Sequence, residues 1–150
     1  MERHRGQCHC GAITVDLALS KPASDVRVRS CQCGFCRRHG TRAIADRDGQ
    51  AVVVAASPDD VLHYRFGLKS ADYLVCRRCG TYVAAVMTEE VRSVSVVNVG
   101  GLDVPAFRGR TGEAVTYDGE DVPARIARRK TYWMPIELRF ESSTDAVRSA

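Results

Sequence analysis

No apolar run in the sequence approaches the roughly 18 residues that a membrane-spanning helix needs. The first residues, Met1-Glu2-Arg3-His4-Arg5-Gly6, carry no apolar stretch of the secretory kind, so the expectation is a cytoplasmic protein with no membrane partner. Also missing are a G-x-S-x-G nucleophile turn, a phosphate-binding glycine loop and an H-E-x-x-H pair. Serine, histidine and aspartate all occur, but nothing aligns them. Helical periodicity of any length is scarce, no internal repeat appears beyond a recurring C-x-C, and no basic disordered tract invites a nucleic-acid partner.

What the chain does have suits one β-rich domain. Its 150 residues, 45% hydrophobic and 27% charged, are enough for a core yet few enough that a metal clamp would add noticeably to stability. Ile13, Val15, Leu17 and Leu19 alternate with smaller or polar residues, the period-2 signature of a half-buried strand, and Val26 and Val28 repeat it. Val52 to Ala55, the alternating Leu62, Tyr64 and Phe66, Tyr73 to Cys76, Tyr82 to Met87, Val91 to Val99, and Ile136, Leu138 and Phe140 read as further strands. Asp48-Gly49, Ser57-Pro58-Asp59, Gly100-Gly101 and Asp118-Gly119 punctuate them as turns. A turn of helix is expected near Ala124 to Lys130, a loop from Pro105 to Pro123, a single domain over residues 1–141 and a loose polar tail over 142–150.

The seven cysteines fall as Cys8 with Cys10, the triplet Cys31, Cys33 and Cys36, and Cys76 with Cys79. In a reducing cytoplasm such spacings point to metal or chemistry rather than structural disulfides. Zinc takes four ligands in structural sites and three plus an open position in catalytic ones. The two pairs therefore make one closed site, and the triplet makes one open site, two zinc ions in all. On a strand, Cys8 and Cys10 would point the same way and His9 the other. Cys76 and Cys79 have the spacing of a zinc knuckle. Glycine follows Cys10, Cys33 and Cys79 alike, which frees the backbone to fold around a thiolate. Two alternatives stay open for the triplet: Cys33-Gly34-Phe35-Cys36 matches the C-x-x-C of dithiol redox proteins, and three thiolates could be a second structural site.

The formal charge of +4 counts every cysteine as neutral; seven thiolates on two Zn²⁺ would bring it to about +1, so global charge argues for no partner. Locally, Arg37 and Arg38 follow Cys36, Arg77 and Arg78 lie inside the second C-x-x-C, and Arg125, Arg128, Arg129 and Lys130 cluster late. These cations offset thiolate charge, lie in solvent, or hold an anionic substrate.

Gln7-Cys8-His9-Cys10-Gly11, then Cys31-Gln32-Cys33-Gly34-Phe35-Cys36-Arg37-Arg38, then Cys76-Arg77-Arg78-Cys79-Gly80, resembles the family of glutathione-dependent formaldehyde-activating enzymes and centromere protein V. Leu102-Asp103-Val104-Pro105, and later Pro123, Ile126, Lys130 and Trp133, continue the likeness, which spans most of residues 7 to 133. The resemblance implies a β-tent fold of antiparallel sheets, a structural zinc on Cys8, Cys10, Cys76 and Cys79, and an active-site zinc on Cys31, Cys33 and Cys36. The implied reaction joins formaldehyde to glutathione, giving S-(hydroxymethyl)glutathione, a carbon–sulfur lyase activity on a small-molecule thiol. Arg37, Arg38 or Arg125 would hold a substrate carboxylate, and His39 is a surface residue or a proton carrier. Two positions depart from the family pattern: Val75 replaces an aromatic residue and Arg125 a histidine. The rivals are a zinc-stabilised binding module without turnover and a redox or metal-sensing protein using Cys33 and Cys36.

Overall fold

The structure, a computed structural model, describes residues 1–141; the expected tail, 142–150, lies outside the described residues. In chain order the strands are β1 (Glu2–Gln7), β2 (Ile13–Leu19), β3 (Arg29–Cys31), β4 (Ala43–Ile44), β5 (Gln50–Ala55), β6 (Val61–Tyr64), β7 (Asp72–Cys76), β8 (Tyr82–Thr88), β9 (Ser93–Asn98), β10 (Glu113–Val115) and β11 (Met134–Phe140). The helices are α1 (Gly34–Arg38) and α2 (Val122–Tyr132). The protein is mainly β, as the alternating apolar positions predict. No helix among the described residues is long and apolar enough to cross a membrane.

Alternation builds the core directly. Ile13, Val15, Leu17 and Leu19 of β2 are all fully buried, and across the antiparallel β2–β5 ladder the first three lie opposite Ala55, Val53 and Ala51 of β5. Burying such side chains contributes about 1.5–3 kcal/mol each before conformational entropy is set against it. The sheet runs β1-β2-β5-β11-β9-β4-β3-β10, and a branch leaves β9 through β8 and β7 to β6. Most pairings are antiparallel, but two are parallel: β5 with β11, where Ala51 lies opposite Ile136, and β3 with β10, where Cys31 lies opposite Val115. The antiparallel expectation is corrected at those two ladders, whose partners are far apart in sequence.

Three local expectations also change. Val26 and Val28 are buried but precede β3 rather than form a strand. The stretch expected to be a loop, 105–123, contains a 3-10 turn at Pro105–Phe107 and the strand β10. The helical turn near Ala124 is a full helix: Asp121 caps it by accepting a hydrogen bond from the Ala124 N–H at 2.8 Å, and Pro123 sits in its first turn.

The buried residues form two clusters. The larger includes β2, β5, Val97 of β9 and the cysteines Cys8 and Cys76. The smaller joins Cys36, Tyr82, Ala85, Met87, Val94 and Trp133, with Cys31, Cys33, Phe35 and Tyr73 packed against it. Each group of cysteines is thus built into a different core.

Candidate metal centres

β1 ends at Gln7, so Cys8 and Cys10 lie in the turn to β2 and not on a strand. Their convergence comes from the turn, closed by Gly11 N–H donating to the Cys8 carbonyl at 3.0 Å, with Gly11 at φ +83°. His9 is exposed, as expected. At the far end of β7, Gly80 repeats the device: φ is +79° and its N–H donates to the Cys76 carbonyl at 2.8 Å. The glycine after Cys33 differs, because Gly34 opens α1 and has no positive φ. Thr81 joins the two turns, accepting from the His9 N–H at 3.4 Å while its hydroxyl lies 3.2 Å from Cys79 Sγ.

The four Sγ atoms of Cys8, Cys10, Cys76 and Cys79 all lie within 4.8 Å of one another. Cys10 Sγ is 3.7 Å from both Cys8 Sγ and Cys76 Sγ. A tetrahedral zinc with Zn–S bonds of about 2.3 Å needs sulfurs about 3.8 Å apart. The donor set and its spacing fit that ion. The Ile13 N–H points at Cys8 Sγ from 3.3 Å, a donor that favours thiolate. At Cys79, burial pushes the pKa up, but hydrogen bonds from Thr81 and the Cys10 backbone outweigh it and bring it to about 5.

The triplet spans the junction of β3 and α1. Cys31 ends the strand, Cys33 is the N-cap, and Cys36 lies in the helix. Cys33 Sγ accepts the Cys36 N–H at 3.4 Å, so this thiol also satisfies a free donor of the first turn. The three Sγ atoms lie within 4.8 Å of one another, and among the described residues no histidine, aspartate, glutamate or further cysteine joins the group. Cys36 is buried and the other two are half-buried. The Cys36 thiol donates to Cys31 and, against burial, brings the Cys31 pKa down to about 6, with a Cys33 backbone donor and the Arg128 charge helping. Cys36 is correspondingly pushed up by that bond and by its own burial. The local context of a redox C-x-x-C, a strand followed by a helix start, is therefore present, although α1 is only five residues long.

All three thiols line a cavity of about 160 Å³. Tyr73, Tyr82, Phe66 and Trp133 supply its aromatic wall, and Arg29, Arg125, Arg128 and Arg129 its cations. The Tyr73 phenol is pushed up, first by burial and then by the charge of Cys36, so it stays protonated. Of the arginines expected to meet substrate, Arg125 lines this cavity; Arg37 and Arg38 do not. Both are exposed and fold back on their own turn, Arg37 Nε donating to the Gln32 carbonyl at 3.1 Å and Arg38 Nη1 to the Gly34 carbonyl at 2.8 Å. Arg37 faces a separate depression with Gln32, Arg42 and Arg110. His39 caps the end of α1, exposed, its ring centroid 4.4 Å from that of Phe35.

Sequence reasoning did not assign Arg29, Tyr73 or Tyr82 to a site. For Arg128 and Arg129 a signal existed: positions 125, 128 and 129 share one face of a helix through the i, i+3, i+4 rule, while Lys130 turns away to Glu89 at 3.5 Å. Val75, one of the two departures, is not in the cavity wall; Arg125, the other, is.

Against known proteins, the family model described as "Glutathione-dependent formaldehyde-activating enzyme" matches residues 3–116, which include both cysteine groups but stop short of α2. The crystal structure of a Rhodobacter sphaeroides protein, a structural-genomics target, is similar at 31% sequence identity, covering 74% of this chain and 99% of that one with a TM-score of 0.54. With most of its length matched, its cysteine groups included, the chain belongs to the glutathione-dependent formaldehyde-activating enzyme family.

Proposed function

We propose that the protein is a zinc-dependent carbon–sulfur lyase that forms or cleaves the adduct of a small thiol with formaldehyde or a similar carbonyl, in the manner of S-(hydroxymethyl)glutathione synthase. The observation that carries this reading is the convergence of Cys31, Cys33 and Cys36 on one cavity with no fourth protein ligand among the described residues. In this reading Cys8, Cys10, Cys76 and Cys79 hold a structural zinc within a β-tent domain. Cys31, Cys33 and Cys36 would hold the second ion. When bound, zinc supplies Lewis acidity that favours the thiolate form of an incoming thiol.

The chain's own residues then have distinct tasks. Arg128, close enough to Cys31 to lower its pKa, offsets the negative charge of the sulfur cluster. Phe66, Tyr82 and Trp133 exclude water from the cavity. Tyr73, kept protonated, offers an O–H to the carbonyl oxygen. The new S–C bond forms as the C=O π pair moves to oxygen, and that oxygen takes the proton the thiol gave up. Cleavage is the reverse. A thiol such as glutathione, in the cytoplasm, is the partner this implies.

A second reading, a dithiol redox protein using Cys33 and Cys36, draws on their position at the start of α1. Metal content separates the two. Purified protein should carry about two zinc ions, and Cys33→Ser should carry one and stay folded. Retention of both ions by Cys33→Ser would overturn the triplet as a metal site. Adduct formation between formaldehyde and thiols, followed by NMR, tests turnover: zinc-loaded protein that accelerates the reaction with no thiol is not this enzyme.

A further inference from the structure

The four cavity arginines are not equivalent. Arg125 and Arg128 are spent on one carboxylate: Arg125 Nε donates to Glu120 at 3.1 Å, and Arg128 donates to it twice, at 2.9 and 3.1 Å, while lying 3.6 Å over the Tyr117 ring. Arg129 is only 4% exposed and has no carboxylate partner among the described residues. Among the described residues its guanidinium makes one hydrogen bond, from Nη1 to Ser70 Oγ at 2.7 Å, lies 4.6 Å over the Trp133 ring, and keeps Nε buried without a partner. Arg29 Nε and Trp133 Nε1 are likewise buried and unpartnered among the described residues. Glu113, which lies opposite Arg29 across the β3–β10 ladder and feels its charge, is already held by Nε and Nη2 of Arg27, each at 2.7 Å.

Guanidinium and indole nitrogens only donate. Arg29, Arg129 and Trp133 all line the cavity. The unpartnered nitrogens are themselves shut off from its open space, but among the described residues neither guanidinium has a carboxylate within ion-pair reach, and a ligand carboxylate matches the arginine fork best. Burial works against the Arg129 charge and pushes its pKa down, so an anion brought to it offsets a cost the fold already carries. An ammonium group finds the reverse: among the described residues the exposed Asp118 is the one carboxylate in the wall, set against four arginines, and Glu120, outside the wall, is committed to Arg125 and Arg128. Size adds a second limit. About 160 Å³ is well under the roughly 300–1,000 Å³ of sites that enclose drug-sized ligands, and the ligand's sulfur must share that space with the cysteine sulfurs.

We propose that the cavity selects a compact thiol bearing a carboxylate and no ammonium group, a mercaptocarboxylate, in preference to a tripeptide thiol, with Arg129 and Arg29 as the carboxylate anchors. This rests on the reading that a substrate thiol joins the sulfur triplet. Of the two anchors, Arg29 lies within the residues that the family model matches, whereas Arg129, with Arg125 and Arg128, comes from α2 beyond them.

The test is calorimetric binding to zinc-loaded protein of 3-mercaptopropionate, cysteamine, glutathione, neutral 2-mercaptoethanol and sulfur-free propionate. The expected order has 3-mercaptopropionate at least tenfold tighter than cysteamine or glutathione. Arg129→Gln, which can keep the contact to Ser70, should remove most of that advantage and leave 2-mercaptoethanol unchanged. Arg29→Gln, at a half-buried strand position, should act in the same direction and stands in if Arg129→Gln fails to fold. Equal affinity for cysteamine or glutathione, or an equal loss for every thiol in the variants, overturns the inference while leaving sulfur capture intact. If 2-mercaptoethanol does not bind but propionate does, in a manner that Arg129→Gln abolishes, sulfur capture falls and the carboxylate anchor stands. No binding by any probe overturns both.

Discussion

Cys10 Sγ and Cys76 Sγ lie 3.7 Å apart although 66 positions separate them in the chain. The turn after β1 and the turn after β7 are thereby held sulfur to sulfur, and the enclosed segment contains the triplet and six of the strands between them. A metal on these sulfurs closes a long loop, and the stabilisation from such closure grows with the logarithm of loop length.

The first expected outcome concerns that clamp. Cys79→Ser or removal of metal by a strong chelator should destabilise the protein by about 4 kcal/mol, the loop-closure value for a segment of this size. For a chain of this length that is a fall in Tm on the order of 10 °C. Calorimetry with and without chelator measures it. An unchanged Tm in metal-free Cys79→Ser would mean that the four sulfurs do not carry the fold.

Cys33→Ser should behave differently, for a local reason. Cys33 is the N-cap of α1 and its Sγ accepts the Cys36 N–H, a task that serine performs at least as well. The variant should keep Tm within about 1–3 °C of the parent, a stability change of no more than about 1 kcal/mol, while losing one metal. Metal analysis beside a melting curve separates the two groups of cysteines.

What was legible in the sequence followed from residue type and short spacing. The period-2 burial of β2 is read directly from Ile13, Val15, Leu17 and Leu19, and the division of cysteines into four and three follows from their spacing. Less was legible where backbone direction or distant chain decides. Cys8 and Cys10 share a direction because a left-handed glycine closes a turn, which a C-x-C on an assumed strand mimics. The strand β10 is only three residues long and mostly exposed, and its parallel partner β3, far upstream, makes it a strand. Arg37 and Arg38 adjoin the triplet in sequence but return to their own backbone, whereas Arg29 and Arg129, one hundred positions apart, meet at the cavity. Adjacency in sequence was a poor guide to which cation the cavity sees.

Cys31 should be the reactive thiol of the triplet. Its pKa is brought from an ordinary value near 9 to about 6, so in metal-free, reduced protein the thiolate dominates at pH 7. Because the pKa is lowered, reactivity is gained as pH rises through about 6 and lost about tenfold per unit below it. Cys36, pushed up and buried, should lag at every pH. Iodoacetamide labelling across pH 5–9 with peptide mass spectrometry reads the order, and zinc should protect all three. Labelling of Cys36 ahead of Cys31 would reverse the assignment.

Glu120 tests how the cations of the cavity are shared. Its carboxylate, half-buried, has its pKa lowered by hydrogen bonds first from Arg128 and then, against burial, from Arg125; it is ionised at neutral pH and fixes both side chains. Glu120→Gln removes the charge and keeps the shape. Two arginines then lose their counter-charge at the cavity edge, at a cost of about 1–2 kcal/mol for the broken charged hydrogen bonds. The same change raises the positive potential of the cavity, so a carboxylate-bearing thiol should bind severalfold more tightly while a neutral thiol is unaffected. Measured together, a lower Tm with tighter 3-mercaptopropionate binding is the expected pair. A lower Tm with weaker binding would instead mean that Arg125 and Arg128 serve the ligand only when Glu120 holds them in place, which makes orientation, not charge, the property that Glu120 supplies.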